Sequence, residues 1–197
     1  KFFFAFIFTW GLVYILFLNS ELATSNMMYL TAGVYQKNIR LSKAVTILLY
    51  CGIFNLIGAM IIGAAFAHSA AFNAMDVQHF IVGLVKGKAL RGNGQVLLEA
   101  VLANIFVNVA ILAFLLIKDD AAKMWIIISA IFMFVFLGEE HVVANFASFS
   151  IVKFSAVSPS LEFMNWFNLI RHWVVAFIGN TIGGGVIVGL AYAFLNK

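Results

Sequence analysis

Apolar residues run along this chain in stretches that no water-facing element would tolerate, interrupted at a few places by short polar clusters. Five stretches reach spanning length, at 2–35, 44–67, 95–117, 124–157 and 166–195. A helix needs about 20 apolar residues to cross a bilayer. A spanning β-barrel would show segments of about ten residues with alternating polarity, so these continuous runs predict helices. The first and fourth stretches are too long for one straight helix, and each carries a polar interruption near its middle: SELATSN at 20–26 and GEEHVVAN at 138–145. The polar connectors are QKNIRLSK (36–43), the long segment 68–94, KDDAAK (118–123) and KFSAVSPSLEF (153–163).

The two interruptions follow one pattern. Glu21 and Asn26 stand at the same spacing as Glu140 and Asn145, and each interruption is followed by Asn-x-Ile-Gly, at Asn55 to Gly58 and at Asn180 to Gly183. Internal duplication of this kind marks channel and transporter folds. The second half holds three spans and the first half a broken span and its successor. The duplication therefore predicts a further transmembrane helix ahead of residue 1, giving six spans in two repeats of three. An odd number of spans inverts the second copy and sets the two interruptions face to face near the midplane. The expected fold is all-α integral membrane with two broken helices, a single transmembrane channel domain over 1–197. Within it, 1–67 is the remainder of the first repeat, 68–94 a connecting loop and 95–197 the second repeat.

Composition agrees and removes other classes. Only 10% of residues are charged, against about 25% in a soluble domain, so the chain cannot cover a surface facing water. The single cysteine, Cys51, permits no intramolecular disulfide, and no His, Cys and Glu cluster stands at metal-binding spacing, so no metal or cofactor is expected. The net charge of +4 is dispersed with no aromatic-basic stripe, which argues against a nucleic-acid partner. No phosphate-binding loop and no nucleophile elbow occur, and no catalytic pair is visible. The basic residues divide evenly over the two sides of the implied topology: Lys37, Arg40, Lys43, Lys118, Lys123 and Lys197 against Lys1, Lys86, Lys88, Arg91, Lys153 and Arg171. Charge bias alone does not orient the chain.

A helix break in hydrocarbon is tolerated only where its backbone is buried in protein or lines a watery cavity, so facing breaks define a pore or a binding site. The N-termini of the half-helices attract anions. Thr24, Ser25 and Asn26 supply polar groups to the first break, and Glu140, His141 and Asn145 to the second. His141 is the histidine deep within a span, and its imidazole titrates near neutrality. Intramembrane ionisable groups of this kind are functional by default. His68, His79 and His172 fall at predicted membrane edges, as do the anchoring residues Trp10, Trp125, Trp166 and Trp173. Glu21 and Glu140, at matching positions, are expected to accept hydrogen bonds from orphaned N–H groups of the broken helices. Glu99 and Glu139 could line a vestibule or pair with a basic residue. Asn104 and Asn108 share one face of 95–117, where polar residues serve as interhelical glue or line a pore.

ELATSN, GEEHVVANFASF, NWFNL and GNTIGGG together resemble the formate/nitrite transporter family, whose members move small monovalent anions of weak acids. The resemblance covers almost the whole chain. It implies an aquaporin-like fold without the Asn-Pro-Ala pair, a homo-pentamer with one pore per protomer, and a multi-pass place in the plasma (inner) membrane of a bacterium. It matches His141 to the central pore histidine, Thr24 to the threonine of the first break, and Lys88 to a vestibule lysine. Leu22 and Phe134, with Phe8 and Leu12, match hydrophobic constrictions above and below the histidine, and Asn104 and Val107 match pore-facing positions. Both breaks lack a Phe found in the formate type, and the spacing of Thr24, Lys88 and His141 is more similar to the hydrosulfide type. The implied function is passage of HS⁻, formate or nitrite. Lys88 would gather the anion, the constrictions strip its water, and His141 with Thr24 supply a proton or stabilise the anion. The alternative is a neutral-solute pore for water or glycerol with a structural His141.

Overall fold

The computed structural model describes residues 1–196, and every regular element among them is helical. Lys197, counted in the charge tally, lies outside the described residues. The elements are α1 (Phe2–Phe17), α2 (Ala23–Tyr35), α3 (Leu41–Ala67), α4 (Phe80–Ala89), α5 (Asn93–Leu116), α6 (Asp120–Leu137), α7 (Val142–Lys153), α8 (Trp166–Asn180) and α9 (Ala191–Leu195). A π-helical segment, Thr181–Leu190, joins α8 to α9 without a break. Helix α3, α5, α6 and the continuous run Trp166–Leu195 are long and apolar enough to cross a membrane, whereas α1 and α7 are shorter apolar helices.

All five predicted spans form, and the two long ones divide where the polar interruptions lie. The breaks are shorter than the sequence pattern implies, residues 18–22 and 138–141. Thr24, Ser25, Asn26 and Asn145 therefore stand in the first turns of α2 and α7, because Leu22 and His141 take the extended N-cap positions ahead of them. Segment 68–94 is not wholly a connecting loop, since it contains the ten-residue α4. Polar flanks hide a short amphipathic stripe here: Val82, Val85 and Ala89, spaced by three and four, are buried against α7 and α8, while Lys86 faces outward.

Packing follows the duplication. Helix α3 lies on α7 as α2 lies on the π segment, α2 meets α3 as α7 meets α8, and the corresponding helices α1 and α6 pack on each other. Helix α5 fills the space between α6, α8 and the π segment. Close approach there depends on Gly183, where a Cβ would overlap the carbonyl of Val101 in α5. Leu49, Ile53, Ile57 and Ile61 of α3 and Val174 and Ile178 of α8 are exposed, a surface suited to lipid.

Candidate functional site

The two breaks share one construction. In the first, α1 ends at Phe17, Asn19 takes a left-handed φ of 53°, and Leu22 is extended at φ −124°, ψ 121° before α2 begins. In the second, α6 ends on Gly138 at φ 88°, and His141 is extended at φ −104°, ψ 116° before α7 begins. An extended residue between two helices leaves the carbonyl before it and the N–H after it without helical partners. One asparagine side chain serves both groups in each repeat. Asn55 Oδ1 accepts from the Ala23 N–H at 2.9 Å, and its Nδ2 donates to the Glu21 carbonyl at 3.1 Å. Asn180 Oδ1 accepts from the Val142 N–H at 2.8 Å, and its Nδ2 donates to the carbonyls of Glu140 at 2.9 Å and Ala100 at 2.7 Å.

These are the asparagines of the duplicated Asn-x-Ile-Gly motif. A carboxamide carries both donor and acceptor, so it replaces the strand that an extended residue would otherwise pair with. The expectation that the Glu21 and Glu140 carboxylates take the orphaned N–H groups is corrected here. A carboxylate can only accept and could not serve the orphaned carbonyls. The glutamates hold the next half-helix instead: Asn26 Nδ2 donates to Glu21 Oε2 at 2.8 Å, and Asn145 Nδ2 donates to Glu140 Oε2 at 2.7 Å.

His141 joins the two breaks. Its Nε2 lies 2.8 Å from Thr24 Oγ1, and its Nδ1 accepts from the Ala144 N–H at 3.2 Å. An acceptor Nδ1 on a neutral ring puts the hydrogen on Nε2, so the ring donates to Thr24. Thr24 is fully buried and lines neither cavity.

Two cavities meet at this ring. One, of about 630 Å³, is walled by Leu12, Leu22, Val107, Ile131, Phe134 and His141. The other, of about 370 Å³, is walled by Phe8, Lys88, Arg91, Phe134, Glu139 and His141. Phe8 also reaches the first cavity. Its ring stands edge-on to Phe134 at 6.2 Å, and Phe134 lies 5.8 Å from the imidazole. Phe8, Phe134 and His141 thus stand at the partition where the cavities adjoin, together with Phe4, Phe80 and Leu84, which also line both, and the remaining sequence-predicted constriction residues, Leu12 and Leu22, line the first cavity with Val107.

Asn104 is placed otherwise. It is fully buried and reaches neither cavity; its Nδ2 donates to the Asn180 carbonyl at 2.7 Å and to the Thr24 carbonyl at 3.2 Å. The pore-lining expectation is corrected because Gly184, lacking a Cβ, leaves room for this amide between α5 and the π segment. Asn108 Nδ2 donates to the Asn104 carbonyl at 2.7 Å within α5 and to the Thr24 carbonyl at 3.4 Å, so the stripe ties α5 to the start of α2 and to Asn180.

Lys88 reaches the second cavity, but its charge is matched. The ammonium donates to the Glu139 carbonyl at 2.7 Å and to Glu140 Oε2 at 2.8 Å. Arg91 pairs with both Glu140 and Glu99 and donates to the Gly138 carbonyl at 3.0 Å. Glu140 is fully buried, and His172 Nε2 stands 3.4 Å from its carboxylate. His172 and Trp173 are both buried inside the protein, so Trp173 is not the lipid-facing anchor expected of it, and His172 stands beside the paired charges. Leu169, His172, Trp173, Ala176 and Asn180 form the inward stripe of α8, a helical period that hydropathy alone does not separate from the outward one. Among the described residues no group of three His, Cys, Asp or Glu could hold a metal ion.

The family model described as Formate/nitrite transporter matches residues 1–194. The formate channel BtFdhC of Bacillus thuringiensis is 31% identical over 186 residues, covering 94% of this chain and 70% of that protein. A formate-nitrite transporter of Plasmodium falciparum is 24% identical, covering 90% of this chain and 59% of that one. Among solved structures, an FNT family ion channel matches with a TM-score of 0.88 at 24% identity, covering 96% of this chain and 75% of the other. A pentameric formate channel with formate bound matches with a TM-score of 0.78 at 20% identity, covering 97% and 81%. These structural likenesses establish the fold.

Proposed function

The chain belongs to the formate/nitrite transporter family, and from that premise we propose that it conducts small monovalent weak-acid anions, with hydrosulfide the first candidate and formate and nitrite beside it. The carrying observation is the His141 to Thr24 hydrogen bond, which joins the two breaks where the cavities meet. An anion entering a wall made of Leu12, Leu22, Val107 and Phe134 loses its water and gains no polar partner, so the charged form faces a steep barrier. The neutral conjugate acid does not. His141, presented at the partition and only 7% exposed, is the group that stabilises the anion or exchanges its proton as the substrate crosses.

In this reading Lys88 acts through Glu140. Its ammonium and the Arg91 guanidinium hold the carboxylate that fixes Asn145 and the start of α7, while their charges also face the second cavity. The relatives named as formate channels and the pentameric neighbour support a homo-pentamer in a lipid bilayer, with each protomer holding its own path.

Flux into proteoliposomes tests the function. Wild-type channel is expected to move formate and hydrosulfide at rates that rise as the external pH falls, and His141→Ala is expected to lower the rate and alter that profile. An unchanged rate and profile in His141→Ala would sink the role given to His141. Stopped-flow swelling with glycerol addresses the neutral-solute reading, since such a pore would show little dependence on pH.

A further inference from the structure

Glu139 presents a carboxyl to the second cavity, beside Lys88, Arg91, Asn145 and His141, and that carboxyl has nothing to hold it. Its Oε2 is buried, and among the described residues no donor reaches it. The Lys88 ammonium takes the Glu139 backbone carbonyl and leaves the side chain alone.

The charged groups around it are engaged with one another. Lys88 of α4 pairs with Glu140, and Arg91 pairs with Glu140 and with Glu99 of α5. His172 of α8 lies behind Glu140. His141 has turned its ring nitrogens to Thr24 and the Ala144 N–H. Lys1, at the start of α1, stands over the Phe136 ring. Lys88 and Arg91 balance Glu140 and Glu99, Lys1, which also lines the cavity, adds one positive charge, and ionisation of Glu139 cancels it. Ionised, Glu139 repels an arriving anion. As the acid, it is neutral and carries the proton that a weak-acid anion needs before it meets the Phe8 and Phe134 partition.

We propose that Glu139 is the proton-exchange group of this cavity, an assignment that rests on the weak-acid function proposed above. On entry the Glu139 O–H bond breaks and a bond from that proton to the basic atom of the anion forms. The products are a Glu139 carboxylate and the neutral acid, which continues to the partition. The carboxylate then takes a proton from hydronium in the water on that side. Beyond the partition the neutral acid gives its proton to water on the far side, and flow in the opposite direction runs the same steps in reverse.

Formate uptake by the full-length channel in proteoliposomes, with the pH of each face set separately, tests the assignment. One exchanging carboxyl contributes up to about tenfold per pH unit. Glu139→Gln is therefore expected to lose about tenfold in the ratio of rates at acid and neutral pH, whereas Glu139→Asp, which keeps a carboxyl, retains the wild-type profile. Superimposable profiles for wild type and Glu139→Gln would overturn the proposal, as would equal losses at every pH in both variants. If Glu139→Gln does not assemble, the wild-type channel itself decides. Dicyclohexylcarbodiimide, which attacks protonated carboxyls in apolar sites, is expected to label Glu139 and abolish the acid stimulation. Labelling of Glu140 instead, or of Glu139 with an unchanged profile, would overturn it. A wild-type channel that moves no weak-acid anion at any pH would sink the underlying function, which separates the two failures.

Discussion

The asparagine bracket around His141 can be weighed by removing it. Asn180→Ala deletes three hydrogen bonds, at 2.7, 2.8 and 2.9 Å, all between buried groups. It strands the Val142 N–H and the Glu140 carbonyl, while the Ala100 carbonyl keeps its helical partner within α5, and each stranded buried group costs about 1–3 kcal/mol. Allowing for relaxation, the loss is about 2–5 kcal/mol, a large part of the roughly 5–15 kcal/mol that keeps a typical protein folded. Asn55→Ala deletes two bonds, at 2.9 and 3.1 Å, both in more exposed surroundings. Its cost should be about 1–2 kcal/mol. Thermal unfolding of the detergent-solubilised channel measures both. Asn180→Asp keeps the acceptor for the Val142 N–H but loses both donations, so it should fall with Asn180→Ala in stability. Equal losses for Asn55→Ala and Asn180→Ala, or flux through Asn180→Ala at the wild-type rate, would refute the idea that this amide holds His141 in place.

Other outcomes follow from the same geometry. Thr24→Val removes the acceptor of the imidazole hydrogen and is expected to reduce anion flux about tenfold, the value of one lost hydrogen bond of about 1.4 kcal/mol; Thr24→Ser should restore most of it in the same flux assay. The duplicated motif offers a contrast between its two glycines. A Cβ on Gly183 meets the Val101 backbone, whereas one on Gly58 meets nothing within 4 Å. Gly183→Ala should therefore abolish assembly as judged by size-exclusion chromatography, and Gly58→Ala should leave the profile as it is.

The spans, both breaks and the duplication were legible because hydrocarbon leaves a chain few choices. An apolar run of spanning length in lipid must be helical, and a polar interruption within it must be buried or face a cavity. The line-up of Phe8, Leu12, Leu22, Val107 and Phe134 around His141 followed from the family resemblance, and the cavities bring those side chains together. What hydropathy could not convey is direction around a helix. His172 and Trp173 look like edge residues by position along the chain, yet they face inward with Asn180 on one stripe. Asn104 shares a stripe with Asn108, which suits glue and lining equally, and only the missing Cβ of Gly184 shows which way the amide turns. The second Asn of each repeat was visible as a repeat and silent as to task. Its reach from one helix to a break in another is a property of packing, and no local pattern records it. Helix α4 was hidden for a further reason, since its apolar stripe of three buried residues is too brief to stand out between polar flanks.

Each asparagine grips the backbone on both sides of a single residue and leaves the side chain of that residue untouched. Leu22 and His141 therefore occupy two sockets of the same shape, one filled with a hydrocarbon and the other with an imidazole. The grip does not depend on what is plugged in. A lineage can exchange the occupant and alter what the passage admits while the scaffold around it stays as it was. The twofold ancestry of the chain survives in the sockets, and its present chemistry lies in the difference between their contents.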